Sequence, residues 1–119
     1  MGRRLMIEDY VRNARLVRVV DGDTCILDID LGFRIWMTVK VRVLGINCPE
    51  CKGLTKGAGD TAARFTSQWF FERPEFQVKT YLDKLDSFGR VLAEIRCEDE
   101  SLAEQQIASG NAVAYRSAW

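Results

Sequence analysis

The sequence predicts an α+β fold that is mainly β: a five-stranded barrel, a helix after strand three, and a second short helix near the C-terminus. Three observations support this. Residues 33–44 alternate apolar and polar side chains over a dozen positions, the period of a strand with one buried face. Asp21-Gly22 lies between two apolar-rich runs, a strong short-range hairpin signal. Ser101-Leu102-Ala103-Glu104 has the form of a capping box, so a short helix begins there.

Taken in order, residues 1–9 read as a lead-in and 10–20 as the first strand. Asp21-Gly22-Asp23 is the turn, with Gly22 expected at positive φ. It sets Asp21 and Asp23 together at a strand end, where two carboxylates repel unless a cation lies between them. Residues 25–30 form the second strand, with Cys25, Leu27 and Ile29 on one face. Leu31-Gly32 turns the chain into the third, 33–44. Its apolar face is Phe33, Ile35, Met37, Val39, Val41 and Val43; Arg34, Trp36, Thr38, Lys40 and Arg42 face the other way. Residues 51–59 read as a loop. Asp60 is placed to cap a helix that ends at Arg73, before Pro74. Ala58, Ala62, Phe65 and Trp69 share its core face, bordered by Phe70. Residues 76–82 and 91–97 are the fourth and fifth strands. Gly110 ends the second helix, and 112–115 return as an extended tail. Three strands, helix, two strands, helix is the order of an OB-fold barrel; a generic α+β sandwich is the competing architecture.

The 119 residues are expected to form one domain, 1–119, long enough to bury about two-thirds of the unfolded surface. Hydrophobic content of 47% and charged content of 29% fit a globular chain. No apolar run approaches the ~20 residues of a membrane span. Met1 to Glu8 lacks the apolar core of a signal peptide, and Met6 stands where myristoylation wants Ser or Thr, so an intracellular, cytoplasmic protein is expected. Zero formal net charge argues against a generic polyanion binder. It leaves room for a nucleic-acid enzyme, because a metal and two arginines neutralise one phosphate locally.

Of the four cysteines, Cys48 and Cys51 have C-x-x-C spacing, but no second pair follows and the chain has no histidine. Free thiols are expected, with a zinc or redox pair as the minor alternative. Cys25 and Cys97 fall on strand positions expected to face the core.

Three stretches then belong together: Val19-Val20-Asp21-Gly22-Asp23-Thr24, Val41-Arg42-Val43-Leu44-Gly45-Ile46-Asn47-Cys48-Pro49-Glu50, and Asp86-Ser87-Phe88-Gly89-Arg90-Val91-Leu92-Ala93. In that order they resemble the staphylococcal nuclease, or thermonuclease-like, family from about Leu16 to Tyr115. The resemblance implies an OB-fold and calcium-dependent hydrolysis of phosphodiester bonds in DNA and RNA. By motif, it implies Asp23 as a calcium ligand, Arg42 and Arg90 as phosphate-binding arginines, and Glu50 as general base or water-orienting group. Asn47 falls where the family usually has a second aspartate ligand, and Cys48 where a backbone carbonyl reaches the metal. Phe88 and Tyr115 fall near nucleotide-stacking tyrosines. Asp21 lies just outside the ligand set.

The chemistry asks for the same residue types. The anionic oxygens of a phosphodiester repel hydroxide; a hard cation held by oxygen ligands offsets that charge and orients water. An arginine fork matches two phosphate oxygens and stays charged. A carboxylate within reach of the water directs its proton, and Pro49 fixes the backbone just before Glu50. Asn47 coordinates without charge, so weaker metal binding is expected. Two functional classes stand: a metal-dependent nuclease, and a catalytically weak or silent nuclease-like domain that binds nucleic acid or protein.

Overall fold

The computed structural model describes residues 10–85 and 89–115, the side chains of 81–85 excepted. Strands β1 (Tyr10–Asp21), β2 (Thr24–Asp30) and β3 (Trp36–Val43) form an antiparallel meander. After the two-residue strand β4 (Ile46–Asn47) come a 3-10 turn at Gly53–Thr55 and helix α1 (Lys56–Phe71). Then follow β5 (Phe76–Leu85), β6 (Val91–Cys97), the short β7 (Glu100–Ser101), α2 (Leu102–Ala108) and β8 (Val113–Ala114).

The barrel closes because β1 serves two neighbours. Its first residues, Tyr10 to Ala14, pair with β5, and the rest with β2. A register shift between Leu16 and Arg18 bends it from one partner to the other. β5 pairs antiparallel with β6, and β6 pairs parallel with β3 over Val41 to Val43. Five strands, β1-β2-β3-β6-β5, thus form a closed barrel with one helix after strand three, the OB-type arrangement. Leu27, Val41, Val43, Val78, Ile95 and Phe76 fill it. Trp69 and Phe70 of α1 meet Phe76 with ring centroids 6.4 and 4.8 Å away and plug one end.

Several expectations need correction. The third strand begins at Trp36, because Gly32, Phe33 and Arg34 all take positive φ in a wider turn. Phe33, Ile35 and Met37 do not face the core: they are 95%, 55% and 54% exposed. The alternation persists, but β6 covers only Val41 to Val43, so the distal half of the β2–β3 hairpin overhangs the barrel. Helix α1 begins at Lys56, taking in much of the expected loop, and Asp60 is an intrahelical partner of Lys56 at 3.0 Å rather than a cap. Ala58 is exposed, Phe65 is half-buried, and Phe70 belongs to the core. Cys25 is buried as expected; Cys97 is only half-buried at the core margin.

The C-terminal signals act where the sequence puts them. Ser101 Oγ accepts the Glu104 N–H at 3.3 Å, and Gly110 ends α2 at φ +86 with its N–H on the Ile107 carbonyl. The tail then adds β8 to β4, pairing Ile46 with Ala114 and Asn47 with Val113. No described helix is long and apolar enough to cross a membrane.

Candidate strand-end site of arginines and carboxylates

The site forms where the β1–β2 turn meets the end of β3. Asp23 follows Gly22 in that turn and is only 6% exposed. A carboxylate at that depth needs partners, and its partners come from three directions. Its Oδ2 accepts the Cys48 backbone N–H at 2.7 Å, its Oδ1 accepts the Thr24 hydroxyl at 3.1 Å, and Arg42 Nη1 approaches Oδ2 at 3.4 Å. Arg42 leaves the outward face of β3 but is half-buried rather than solvated. Nη1 donates to the carbonyls of Val43 and Ile46 at 3.0 and 2.9 Å, and Nη2 donates to Asn47 Oδ1 at 3.1 Å. One guanidinium therefore bridges the Asp23 carboxylate and the Asn47 amide oxygen. Arg90 reaches the same corner, its Nη1 donating to Thr24 Oγ1 at 3.2 Å.

Tyr115 comes to the site through β8. Its N–H donates to the Gly45 carbonyl at 2.9 Å, and its ring centroid lies 5.8 Å from the Arg42 guanidinium. Asp21 sits apart from this cluster, its Oδ1 accepting the Cys51 N–H at 3.0 Å. Glu50 lies on the connecting loop with its carboxylate exposed, and no described side chain pairs with it. Phe88 lies outside the described residues. The structure thus joins Asp23, Arg42, Asn47, Cys48, Arg90 and Tyr115, while Asp21 and Glu50 flank them.

The turn is held differently from the sequence expectation. Gly22 does not take positive φ. What it supplies is room, for a Cβ there would stand 2.7 Å from Ala62 Cβ and 2.9 Å from Cys48 Sγ. Its carbonyl accepts the Thr66 hydroxyl at 2.7 Å, and Gln106 Nε2 donates to Thr66 Oγ1 at 2.7 Å and to the Ala62 carbonyl at 2.9 Å. Thr66 and Gln106 are 1% and 0% exposed. Gly59 does the same for the glutamate loop: a Cβ on it would lie 2.2 Å from the Glu50 carbonyl oxygen. Sequence reasoning gave no role to Thr24, Gly59, Thr66 or Gln106. Only Thr24 had a local signal, adjacent to Asp23; the others act on partners distant along the chain.

All four cysteines are free thiols. Burial, with Asp23 adding to it, pushes the Cys48 thiol up to about 12; burial and a hydrogen bond to Asp21 push Cys51 up to about 11. Among the described residues no group of three or more His, Cys, Asp or Glu is arranged to hold a metal ion.

The family model described as staphylococcal nuclease homologue matches residues 40–119, and the chain belongs to that family. Arg42, Asn47, Cys48, Glu50, Arg90 and Tyr115 lie within the matched span; Asp21 and Asp23 precede it. Comparison with curated proteins gives no significant match.

Proposed function

We propose that this chain is a nuclease, acting as a single domain over 1–119, that hydrolyses phosphodiester bonds in DNA or RNA with calcium. The observation that carries this is Arg42, held half-buried by three hydrogen-bond acceptors and by Asp23, with Arg90 on the adjoining Thr24. Two forks at one corner suit the phosphoryl oxygens on which charge accumulates as water adds to phosphorus. Hydrolysis forms one bond from water oxygen to phosphorus and breaks one phosphorus–ester bond; the water loses a proton and the leaving oxygen gains one. Glu50, exposed on the adjacent loop, is the group assigned to take or direct the first proton. Tyr115, whose ring lies near Arg42, is assigned to stack on the nucleotide, and Phe88 takes the same role by its motif alone.

Asp23 and Asn47 offer oxygen donors that converge on one cationic group, now the Arg42 guanidinium. Oxygen donors of this kind fit a hard divalent cation, with the Cys48 carbonyl as a further donor and Asp21 contributing charge from farther away. Bound there, calcium would offset phosphate charge and orient water. One carboxylate in direct contact is a low charge count, so weak affinity follows. The same feature favours a second reading, a silent nuclease-like domain that binds nucleic acid or protein, because Arg42 already satisfies both oxygens.

The experiment is incubation of purified protein with single-stranded DNA, with and without millimolar calcium, beside Glu50→Gln and Arg42→Lys. Calcium-dependent cleavage lost by orders of magnitude in both variants supports the nuclease; Lys keeps the charge but loses the fork. Absent cleavage with retained binding selects the silent domain.

A further inference from the structure

The residue pairs of the meander arrange the outward face of β1–β3 in rows. The row at the site is Thr24 opposite Arg42. The next is Arg18–Ile26–Lys40, then Arg15–Asp28–Thr38, and last Asp30 opposite Trp36. Rows two residues apart lie about 6.8 Å from each other, so Trp36 stands about 20 Å from Arg42 along one strand. Arg18 and Lys40 are exposed, and neither forms an ion pair among the described residues. Half-buried Ile26 gives an apolar floor between them. At the far end the Arg15 guanidinium lies over the Trp36 ring, 3.9 Å from its centroid.

The carboxylates on this face are already engaged. Asp28 accepts the Thr38 hydroxyl, and Asp30 accepts the Gly32 N–H at 2.8 Å. Those neutral donors leave both carboxylates charged, and Asp23 balances Arg42; Arg15, Arg18 and Lys40 still exceed Asp28 and Asp30 by one positive charge, on a chain that is neutral as a whole. Spaced cations leading to an aromatic plate are what a single nucleic-acid strand uses, backbone on charge and base on ring.

We propose that this face is a second nucleic-acid subsite, carrying a single strand from Arg42 past Lys40 and Arg18 to a base-stacking platform at Trp36 and Arg15. The choice of ligand rests on the nuclease reading above, but the test needs no cleavage. Fluorescein-labelled dT3 and dT12 are titrated in calcium-free buffer against wild type, Arg18→Ser/Lys40→Ser, Trp36→Ala and Trp36→Phe, each shown folded by its melting curve. Wild type binds dT12 more tightly than dT3. The double variant loses about tenfold for dT12, and its salt slope flattens by about 0.7 per cation removed. Trp36→Ala loses about tenfold for dT12 and Trp36→Phe little, since any aromatic face stacks; dT3 changes less than twofold throughout. Equal binding of the two lengths by wild type, or equal losses on both in the variants, overturns the subsite. A duplex of twelve base pairs bound as tightly as dT12, with the same losses, overturns the single-strand assignment. Cleavage that persists without length-dependent binding sinks only the subsite. Length-dependent binding by a protein that never cuts sinks only the nuclease reading.

Discussion

Replacing Thr66 by Val tests what holds the acidic turn. Val keeps the shape and removes the hydroxyl that donates to the Gly22 carbonyl and accepts from Gln106 Nε2, both at 2.7 Å. Gln106 keeps its bond to the Ala62 carbonyl at 2.9 Å, so its amide is half-satisfied, while the Gly22 carbonyl loses the Thr66 donor. Each buried polar group left unmatched costs about 1–3 kcal/mol. With one group orphaned and one impaired, the loss is about 2–4 kcal/mol. A domain of this size then melts roughly 8–15 °C lower. Urea denaturation and thermal melts measure it, with Thr66→Ser as control because the hydroxyl survives. Below the melting transition, cleavage should also fall, since Asp23 follows Gly22 in the released turn. A Thr66→Val protein that melts within 2 °C of wild type would refute the claim that this relay anchors the turn.

Gly59→Ala places a Cβ 2.2 Å from the Glu50 carbonyl oxygen, so the loop must move; a loss of about 1–3 kcal/mol is expected by denaturation, with reduced cleavage at temperatures where the protein stays folded. Asn47→Asp should tighten calcium binding about tenfold or more by titration calorimetry and raise the calcium-dependent melting temperature, because a charged ligand replaces a neutral one; no change in either measurement removes Asn47 from the metal site. The Cys51 thiol, raised to about 11, should react slowly with a disulfide reagent at pH 7 in a Cys97→Ser background, its rate climbing about tenfold per pH unit up to pH 10. Raised thiols at Cys25, Cys48 and Cys51 favour the folded state below the unfolded value near 9, so their contribution disappears as pH rises from there through 11 to 12, visible as a falling melting temperature.

Local rules made much of the barrel legible. The alternation through Val39, Val41 and Val43 gave the β3 face, and the capping box at Ser101 and the C′ glycine at Gly110 gave α2, because each signal acts within a few residues. The same alternation misplaced Phe33, Ile35 and Met37. Period two reports which side chains share a face, not whether a neighbouring strand runs far enough to cover it, and β6 stops at the pair Val41–Val91. The start of α1 was missed because no side chain caps it: the N-cap Thr55 makes no capping bond, and its hydroxyl instead holds the Glu50 and Lys52 carbonyls. At the site, the motifs point to Asp23, Arg42 and Arg90, and the fold brings these side chains to one corner, Arg42 on Asp23 and Arg90 on Thr24. That Arg42 would clamp Asn47 and Asp23 together was not readable, since it depends on the β3–β4 turn bringing the Ile46 carbonyl and Asn47 back over the strand.

The positions without local signal share a physical logic. Gly59, Ala62 and Thr66 are spaced by three and four residues, so they lie on one stripe of α1. Gly59 admits the Glu50 backbone, Ala62 lies under Gly22, and Thr66 holds the Gly22 carbonyl. Two segments far apart in sequence, the acidic turn and the glutamate loop, are thereby referenced to one rigid element, and Asp21 joins them directly through the Cys51 N–H. The next residues on the buried side, Trp69 and Phe70, are large and pack on Phe76. The helix thus divides its work along its length: aromatic bulk at the C-terminal end fixes it to the barrel, and small or hydrogen-bonding residues at the N-terminal end let two backbones approach closely. On the nuclease reading these two segments carry one catalytic set, and such a set tolerates displacements of well under an ångström. The acid turn is also tied to the barrel, since the Asp23 carbonyl accepts the Val43 N–H at 2.9 Å, so the stripe sets the glutamate loop against a turn that α1 and β3 hold from two sides.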